Sequence, residues 1–494
     1  MPFRVYTATD LRAMDRHTIE FVGIPSPVLM ELAGRAVAEE LLAEWSEACA
    51  EGVLIVAGRG NNGGDAWVLA RLLHQRKVAV EVVALPGERT EDCALNERIA
   101  HRIGVPCRES FPASAPGLIV DGIFGTGIRG DVRGLAREWI AHINRSATPV
   151  VSIDLPSGLC GDTGKIFGEA VCAAMTIAVG YAKTGLFGAT SSESVGRIRV
   201  VNIGLVGPQE PAAEVVCGKW VEERMPVRSA GGHKGQSGHL VVIAGSQEHA
   251  GAAVLCCNAA VALGCGMVSL AIHPAAKERL GALAPEVMVE FLEDPRALDW
   301  KRFSAAAVGP GFGTNSTQKA CLKDLFLEAD LPAVFDADGL TSLGEAPKPS
   351  PHPRCLTPHP GEAARLLGCT PAEIQADRWG AIRRLSEVAP CLLKGRYSLI
   401  AKQGCPTRIN LTGTAALSTA GSGDVLTGMV GALLAQGVEP HDALTSAAFL
   451  HGWVATRSGR SRLAASELVQ RLGEAIDSVG ECSTPLPTRS LIGP

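Results

Sequence analysis

No two of the fifteen cysteines stand at a CxxC spacing, and Cys256 and Cys257 are adjacent inside an apolar run. The common zinc patterns are therefore missing, and no disulfide framework is evident. Buried thiols in a reducing compartment are the expectation. Excess positive charge is also lacking: the formal net charge is -5, which speaks against nucleic acid as the main partner. The opening residues, MPFRVYTATDLRAMDRHTIE, hold no apolar leader core, and a cytoplasmic location is expected. One uncharged stretch, Val254 to Ile272, is long enough to suggest a membrane span, but Asn258 and the GCG break at 264–266 divide it. It reads as a buried helix followed by a buried strand, MVSLAI, so no membrane partner is expected. A Walker A motif is absent, and any phosphate site must be built another way.

What is present suffices for large cores. The chain has 494 residues, 46% hydrophobic and 20% charged, which predicts two or three domains. GVLIVAG, VAVEVVAL, GLIVDGIFG and PVVSIDLPSG read as strands ending in Gly, Pro or Asp. GHLVVIAGS, AAAVGPGFG, LPAVFDADG and CLLKGRYSLIA do the same in the second half. Helical segments separate them, giving the βαβ rhythm of a doubly wound parallel sheet, twice over. Between the two series lies GLVGPQEPAAEVVCGKWVEERMPVRSAGGHKGQSG, rich in Pro, Gly and charge. A boundary near 205–230 is expected, with domains over 1–215 and 225–490. In open α/β sheets ligands bind beyond the carboxyl ends of the strands, so the strand ends are the places to search.

In the first half, Gly58, Gly60 and Gly63 form a GxGxxG after a strand. A dinucleotide-binding dehydrogenase would need an acid at the end of the next strand, but VAVEVVALPG ends in Leu85 and Pro86. The loop also carries Asn61, Asn62 and Asp65, whose oxygens suit a hard cation while the backbone N–H groups suit an anion. An Asn/Gly-rich turn is the competing explanation. Asp121 precedes a glycine-rich loop from Gly125 to Asp131, and Asp154 ends a strand with Ser157 three residues on. Three polar, glycine-bearing ends of one sheet are best explained by one shared site.

In the second half, GPGFGTNST and TPHPGEAARLLG precede LLKGRYSLIA and TAGSGDVLTGM. His359 stands between two prolines, and Lys394 with Gly395 ends an apolar run. Each has a plain structural alternative. Asp424 opens an apolar, helix-like run after Gly421, Ser422 and Gly423. It can be an N-cap, or an acid taking a proton beside an anion held on helix N–H groups. Glycine loops without Walker A, closed by GSGD before a helix, suggest phosphoryl chemistry of the ribokinase type.

Together the two halves resemble one family, the bifunctional NAD(P)HX epimerases fused to ADP/ATP-dependent NAD(P)HX dehydratases. LMELAGRAVAEELL, GNNGGD, DGIFGTG and SIDLPSGLCGDTG look like the epimerase part. HKGQSGHLVVIAGS, GPGFG, TPHPGEAARLLG, LLKG and AGSGDVLTGM look like the dehydratase part. The resemblance implies a Rossmann-like doubly wound sheet followed by a ribokinase-like α/β domain. It implies hydrated NADH and NADPH (NADHX and NADPHX) as substrates, with R and S forms interconverted and the S form dehydrated at the expense of ADP or ATP. Asn61, Asn62, Gly63, Gly64 and Asp65, with Gly125, Thr126, Gly127, Ile128, Arg129, Gly130 and Asp131, match the family's loops for the hydrated nucleotide. Asn62, Asp121 and Ser157 match its potassium ligands, as suits a cation that prefers oxygen donors. Asp154 matches the substrate-contacting acid and is the expected proton-transfer group.

In the second half, Ala252, Gly313, His359 and Asp424 match substrate contacts, with Asp424 as the base. Lys394, Gly395, Arg396, Tyr397, Ser398 and Gly423 match contacts to the adenine nucleotide, expected to arrive with magnesium. A homo-oligomer is implied. The sequence departs from the family's usual pattern at Ala66, where Gly is common, and at Ser398, where Thr is common. The competing function is a ribokinase-like kinase of a vitamin precursor with an N-terminal nucleotide-binding accessory domain, which would leave a stable phosphorylated product.

Overall fold

A computed structural model describes residues 3–207, 210–227, 231, 234–482 and 488–490. Parts of the expected 205–230 boundary, at 208–209 and 228–230, and His233 of the HKGQSG stretch lie outside the described residues. The chain divides into two compact units, one of Arg4–Ala213 with Leu486–Pro494 and one of Glu214–Pro485 with Met1–Phe3.

The first unit is an all-parallel sheet. Its strand order is Thr488–Ser490, Arg197–Asn202, Met175–Val179, Val150–Ile153, Leu118–Gly122, Val53–Ala57, Val80–Ala84 and Cys107–Arg108. Every residue of Val53–Ala57 is buried, because helices cover both faces; such strands read as unbroken apolar runs rather than alternating ones. Ile55 and Ala57 pack with Trp67 on one face, while Leu54 and Val56 pack with Trp139 and Ile140 on the other. The helix Gly134–Arg145 buries Ala136, Trp139, Ile140 and Ile143, a spacing of three and four that makes one stripe. From Val53–Ala57 the chain winds outward through Val80–Ala84, then returns and winds the other way from Leu118–Gly122. The switch point of the sheet therefore lies between Val53–Ala57 and Leu118–Gly122.

The second unit repeats the plan. Its sheet runs Met288–Phe291, Met267–Ile272, His239–Ile243, Ala305–Val308, Ala333–Phe335, Arg354–Leu356, Cys391–Leu393, Ser398–Ala401 and Thr407–Asn410. The switch point falls between His239–Ile243 and Ala305–Val308. The uncharged stretch is the helix Ala250–Ala262 and the strand Met267–Ile272, as the sequence indicated. No helix of the described residues is long and apolar enough to cross a membrane.

CLLKGRYSLIA differs from expectation. It is not one strand but two, Cys391–Leu393 and Ser398–Ala401, paired antiparallel. The four polar or glycine residues 394–397 form the turn, and Arg378 braces it by donating to the carbonyls of Leu393, Lys394 and Tyr397.

The helix Ser422–Ala435 crosses the central strands: a Cβ on Gly431 would lie 3.0 Å from Ala307 Cβ and from Leu240 Cδ1. It meets the helix Ala250–Ala262 so closely that a Cβ on Gly428 would come within 2.0 Å of the Cys256 carbonyl oxygen. Only glycine permits that approach.

Candidate active sites

At the first switch point, Asn61 to Asp65 are not a loop but the first turn of the helix Asn61–Gln75, with Gly60 as N-cap. The glycines are there for contact. A Cβ on Gly63 would sit 2.1 Å from the Gly58 carbonyl oxygen, and one on Gly64 would sit 2.4 Å from Met30 Sδ. Ala66 is fully buried and its methyl faces Gly122, which has no side chain to oppose it.

Asp121 is fully buried. Its carboxylate accepts from Ser157 Oγ (2.5 Å), Ser157 N (2.8 Å), Ser152 Oγ (2.8 Å) and Ile123 N (3.2 Å). Burial still pushes its pKa up against these bonds. Asn62 is 8% exposed, and neither atom of its side-chain amide has a hydrogen-bond partner among the described residues. A buried, unpaired amide is costly unless something meets it. Asn62, Asp121 and Ser157 thus present oxygen donors at one switch point, and the unpaired amide fits a hard cation. Among the described residues no group of three His, Cys, Asp or Glu could hold a metal, so such a site would rest on mixed oxygen donors.

Asp154 adopts φ 69°, a left-handed conformation that Asp tolerates better than most residues. Its Oδ1 is bonded by Lys183 Nζ and by Val179 N at 3.3 Å. Lys183, only 2% exposed, also donates to the Val179 carbonyl at 2.7 Å. Asp154 Oδ2 accepts no bond among the described residues and faces the loop after Asp121. A Cβ on Gly125 would lie 3.1 Å from that oxygen and 3.4 Å from Asn62 Cγ. Gly125, Asn62 and Asp154 therefore come together. Thr126 and Ile128 are half-buried, while Gly127 and Arg129 to Asp131 are exposed. Burial, reinforced by Asp154 and Asp15, holds the Asp65 carboxyl well above its usual range.

In the second unit, Asp424 does not fill the N-cap position, the structural alternative to its expected role as a base. Gly421, with φ 85°, is the N-cap of Ser422–Ala435, and Asp424 is the third helical residue. Its carboxylate accepts no hydrogen bond among the described residues. Burial, then Asp336, push its pKa up to about 6 against Lys394. Lys394 Nζ donates to Asp336 at 2.8 and 3.1 Å, and Thr427 Oγ1 donates to Asp336 Oδ2 at 2.6 Å. Burial acts to lower Lys394, but Asp336 and Glu362 outweigh it and raise its pKa.

His359 caps the helix Pro360–Leu367: its Nδ1 accepts from Gly361 N (3.0 Å) and Glu362 N (3.4 Å). Glu362 returns the bond to His359 N at 2.8 Å, and burial pushes its carboxyl to about 7. Ala252 and Gly313 flank the switch point. A Cβ on Gly311 would lie 3.1 Å from Ala252 Cβ, and Gly313 N donates to Asp338 at 2.9 Å. A cavity of about 800 Å³ brings His359, Lys394, Gly395, Arg396, Ser398 and Gly423 together. Tyr397 contributes a carbonyl to Arg378 and does not line it.

The sequence reading missed Lys183, Asp336, Glu362, Thr427 and Arg378. Asp336 has a signal in the sequence, an acid at the strand end FDADG, and Glu362 and Thr427 lie within TPHPGEAARLLG and TAGSGDVLTGM.

A parallel sheet with ligand groups at its switch point, and a second, mixed sheet with a part-buried acid at a helix start near a lysine, define a two-unit α/β enzyme, Rossmann-like and then ribokinase-like. Residues 26–185 match the family described as YjeF-related protein N-terminus, and residues 240–477 match NAD(P)H-hydrate dehydratase. The bifunctional NAD(P)H-hydrate repair enzyme Nnr of Moorella thermoacetica is 35% identical over 490 residues, 92% of each chain. That of Mycobacterium tuberculosis is 38% identical over 453 residues, 89% of this chain and 90% of the other. A crystal structure of a ribokinase-like superfamily protein from Enterococcus faecalis superposes with a TM-score of 0.50 at 21% identity, covering 56% of this chain and 99% of that one, and shares the fold. The chain belongs to the family of bifunctional NAD(P)H-hydrate repair enzymes.

Proposed function

We propose that the two activities of this repair enzyme, epimerisation and dehydration of hydrated NADH and NADPH, are divided between residues 1–215 and 225–490. In the first, Asn61 to Asp65 and Gly125 to Asp131 hold the hydrated nucleotide. Asp154 exchanges a proton with it through Oδ2, the oxygen that Lys183 leaves free. Asn62, Asp121 and Ser157 would hold a potassium ion, which would supply positive charge beside the substrate.

In the second, Ala252, Gly313, His359 and Asp424 contact the S form of the substrate. Lys394 to Ser398 and Gly423 contact ADP or ATP, with magnesium accompanying the phosphates. Asp424 accepts the proton of the C6 hydroxyl as that oxygen bonds to the terminal phosphorus and the P–O bond to the departing nucleotide breaks. The ring nitrogen lone pair then expels inorganic phosphate from C6, a proton leaves C5, and the 5,6 double bond returns. Backbone N–H groups at the start of Ser422–Ala435, with Lys394, offset the charge on the transferring group.

The observation that carries this reading is Asp424: unbonded, part-buried, and held near pKa 6, it is poised as a base at neutral pH. Incubating the protein with mixed R and S NADHX plus ADP or ATP should restore NADH absorbance and release inorganic phosphate in equal amounts. A stable phosphorylated product without NADH would instead indicate the kinase reading. A cytoplasmic homo-oligomer is the state in which we place the enzyme, and sedimentation of the full chain tests the assembly.

A further inference from the structure

Phe312 and Gly313 follow the strand Ala305–Val308 at the second switch point, and a side chain grips each end of the peptide between them. On one side Gln318 Nε2 donates to the Phe312 carbonyl (2.7 Å). On the other, Gly313 N donates to Asp338 Oδ2 (2.9 Å). The Gln318 amide cannot turn over without losing a second bond, because its Oε1 accepts from Asn315 N (3.1 Å). Gly313 has φ 105°, and a Cβ there would lie 2.4 Å from both Gln318 Nε2 and Oε1, so the grip requires glycine. With its N–H held by Asp338, the polar group Gly313 can offer a ligand is its carbonyl, which accepts no bond among the described residues.

A strained turn brings Asp338 to this peptide. Asp336 to Gly339 form a β-turn closed by Gly339 N, which donates to the Asp336 carbonyl (2.9 Å). The second residue, Ala337, adopts φ 50° and ψ -116°, where glycine is the usual occupant. The acids on either side of it take different partners: Asp336 holds Lys394 and Thr427, and Asp338 holds Gly313. Strain of this kind persists where the surroundings over-determine the backbone, and it gathers at functional sites.

We propose that Asp338 and Gln318 are positioning residues for dehydration: by holding both ends of the Phe312–Gly313 peptide they set the Gly313 contact to the S form of the hydrated nucleotide. The inference rests on the reading of Gly313 given above.

Initial rates of NADH recovery from S-NADHX at saturating ADP or ATP, measured on the full chain beside thermal melting, test it. Asp338→Ala should raise KM for S-NADHX about tenfold and leave KM for the nucleotide unchanged. Asp338→Asn, whose amide oxygen can accept from Gly313 N, should bring KM most of the way back although it lacks the same negative charge. Gln318→Leu should raise the same KM. Combining it with Asp338→Ala should add little, because both act through one peptide. A purely structural role would lower the melting temperature and leave KM alone. An unchanged KM for S-NADHX in a folded Asp338→Ala therefore overturns the proposal, as does an Asp338→Asn no better than Asp338→Ala, or full additivity of the two losses. If Asp338→Ala does not fold, an unchanged KM in Gln318→Leu overturns it. Absence of NADH recovery by wild type overturns the reading of the site itself.

Discussion

Lys394 Nζ lies 2.8 Å from Asp336 Oδ1 although 58 residues separate the two in sequence. Asp336 is 2% exposed, so this pair sits in a medium where each charge depends on the other. Asp336→Ala should destabilise the second unit by about 3–5 kcal/mol, because it strands the lysine charge. Nucleotide binding should weaken with it. Because the folded pKa of Lys394 is raised, the stabilisation is fully present below the unfolded lysine pKa and is lost as pH climbs through the folded one. Thermal melting of both proteins at neutral and strongly alkaline pH checks this: the difference between them should shrink only in the alkaline range.

Asp424 follows the same sign for a different reason, because burial disfavours its charged form. Its carboxyl is raised from 3.8 to about 6, so the native state binds a proton more tightly than the unfolded chain. The stability it contributes is present below the unfolded pKa and is lost as pH rises through about 6. At pH ~8 its charge is a burden, and Asp424→Asn should gain about 1–3 kcal/mol. The same variant should lose about 10²–10⁴-fold in dehydration, since an amide cannot accept the proton. NADH recovery from S-NADHX and melting at pH ~5 and ~8 would be measured together. Normal turnover in the variant would return Asp424 to a structural role. Wild-type dehydration should itself decline below about pH 6 as the base is protonated.

The strand ends were legible because parallel strands covered on both faces are unbroken apolar runs, and their breaks fall where Gly and Asp begin. Gly58, Asp121, Asp154 and Gly313 could be placed for that reason. The turn at 394–397 was not legible, since LLKGRYSLIA has two apolar runs short enough to read as one. The sequence left a cap role open for Asp424, and the structure gives it to Gly421, left-handed and three residues earlier. Lys183, Asp336 and Arg378 escaped because their roles arise from partners distant in sequence: a lone lysine in an apolar strand carries no local signature. The Asn62 amide was identified by type, but its lack of any partner is a fact of packing.

Asp154→Asn should leave the fold intact, because Asn also tolerates the left-handed backbone at this position. Epimerisation should fall by about 10²–10⁴-fold, while dehydration of pure S-NADHX continues at the wild-type rate. Asp154→Val should be worse on both counts, since a β-branched residue at φ 69° is strained. Interconversion of R and S NADHX, followed chromatographically, separates the two effects from thermal melting. Epimerisation by Asp154→Asn within a few-fold of wild type would assign the proton transfer elsewhere.

The unpaired Asn62 amide makes its own prediction about potassium. If the cation meets Asn62, Asp121 and Ser157, potassium chloride should raise the melting temperature of the first unit more than lithium chloride at the same ionic strength. It should also accelerate epimerisation without altering dehydration. Asn62→Leu removes the buried polar atoms that now lack partners, so without potassium its stability should equal or exceed that of wild type. The selective response to potassium, in both melting and epimerisation, should disappear in this variant. Ser157→Ala should lose the response too, but at a cost in stability of about 1–3 kcal/mol, because Asp121 then forfeits the 2.5 Å bond from the hydroxyl. Equal responses to potassium and lithium in wild type would mean that the oxygens at this switch point hold no specific cation. A potassium response that survived in Asn62→Leu would place the ion away from the unpaired amide.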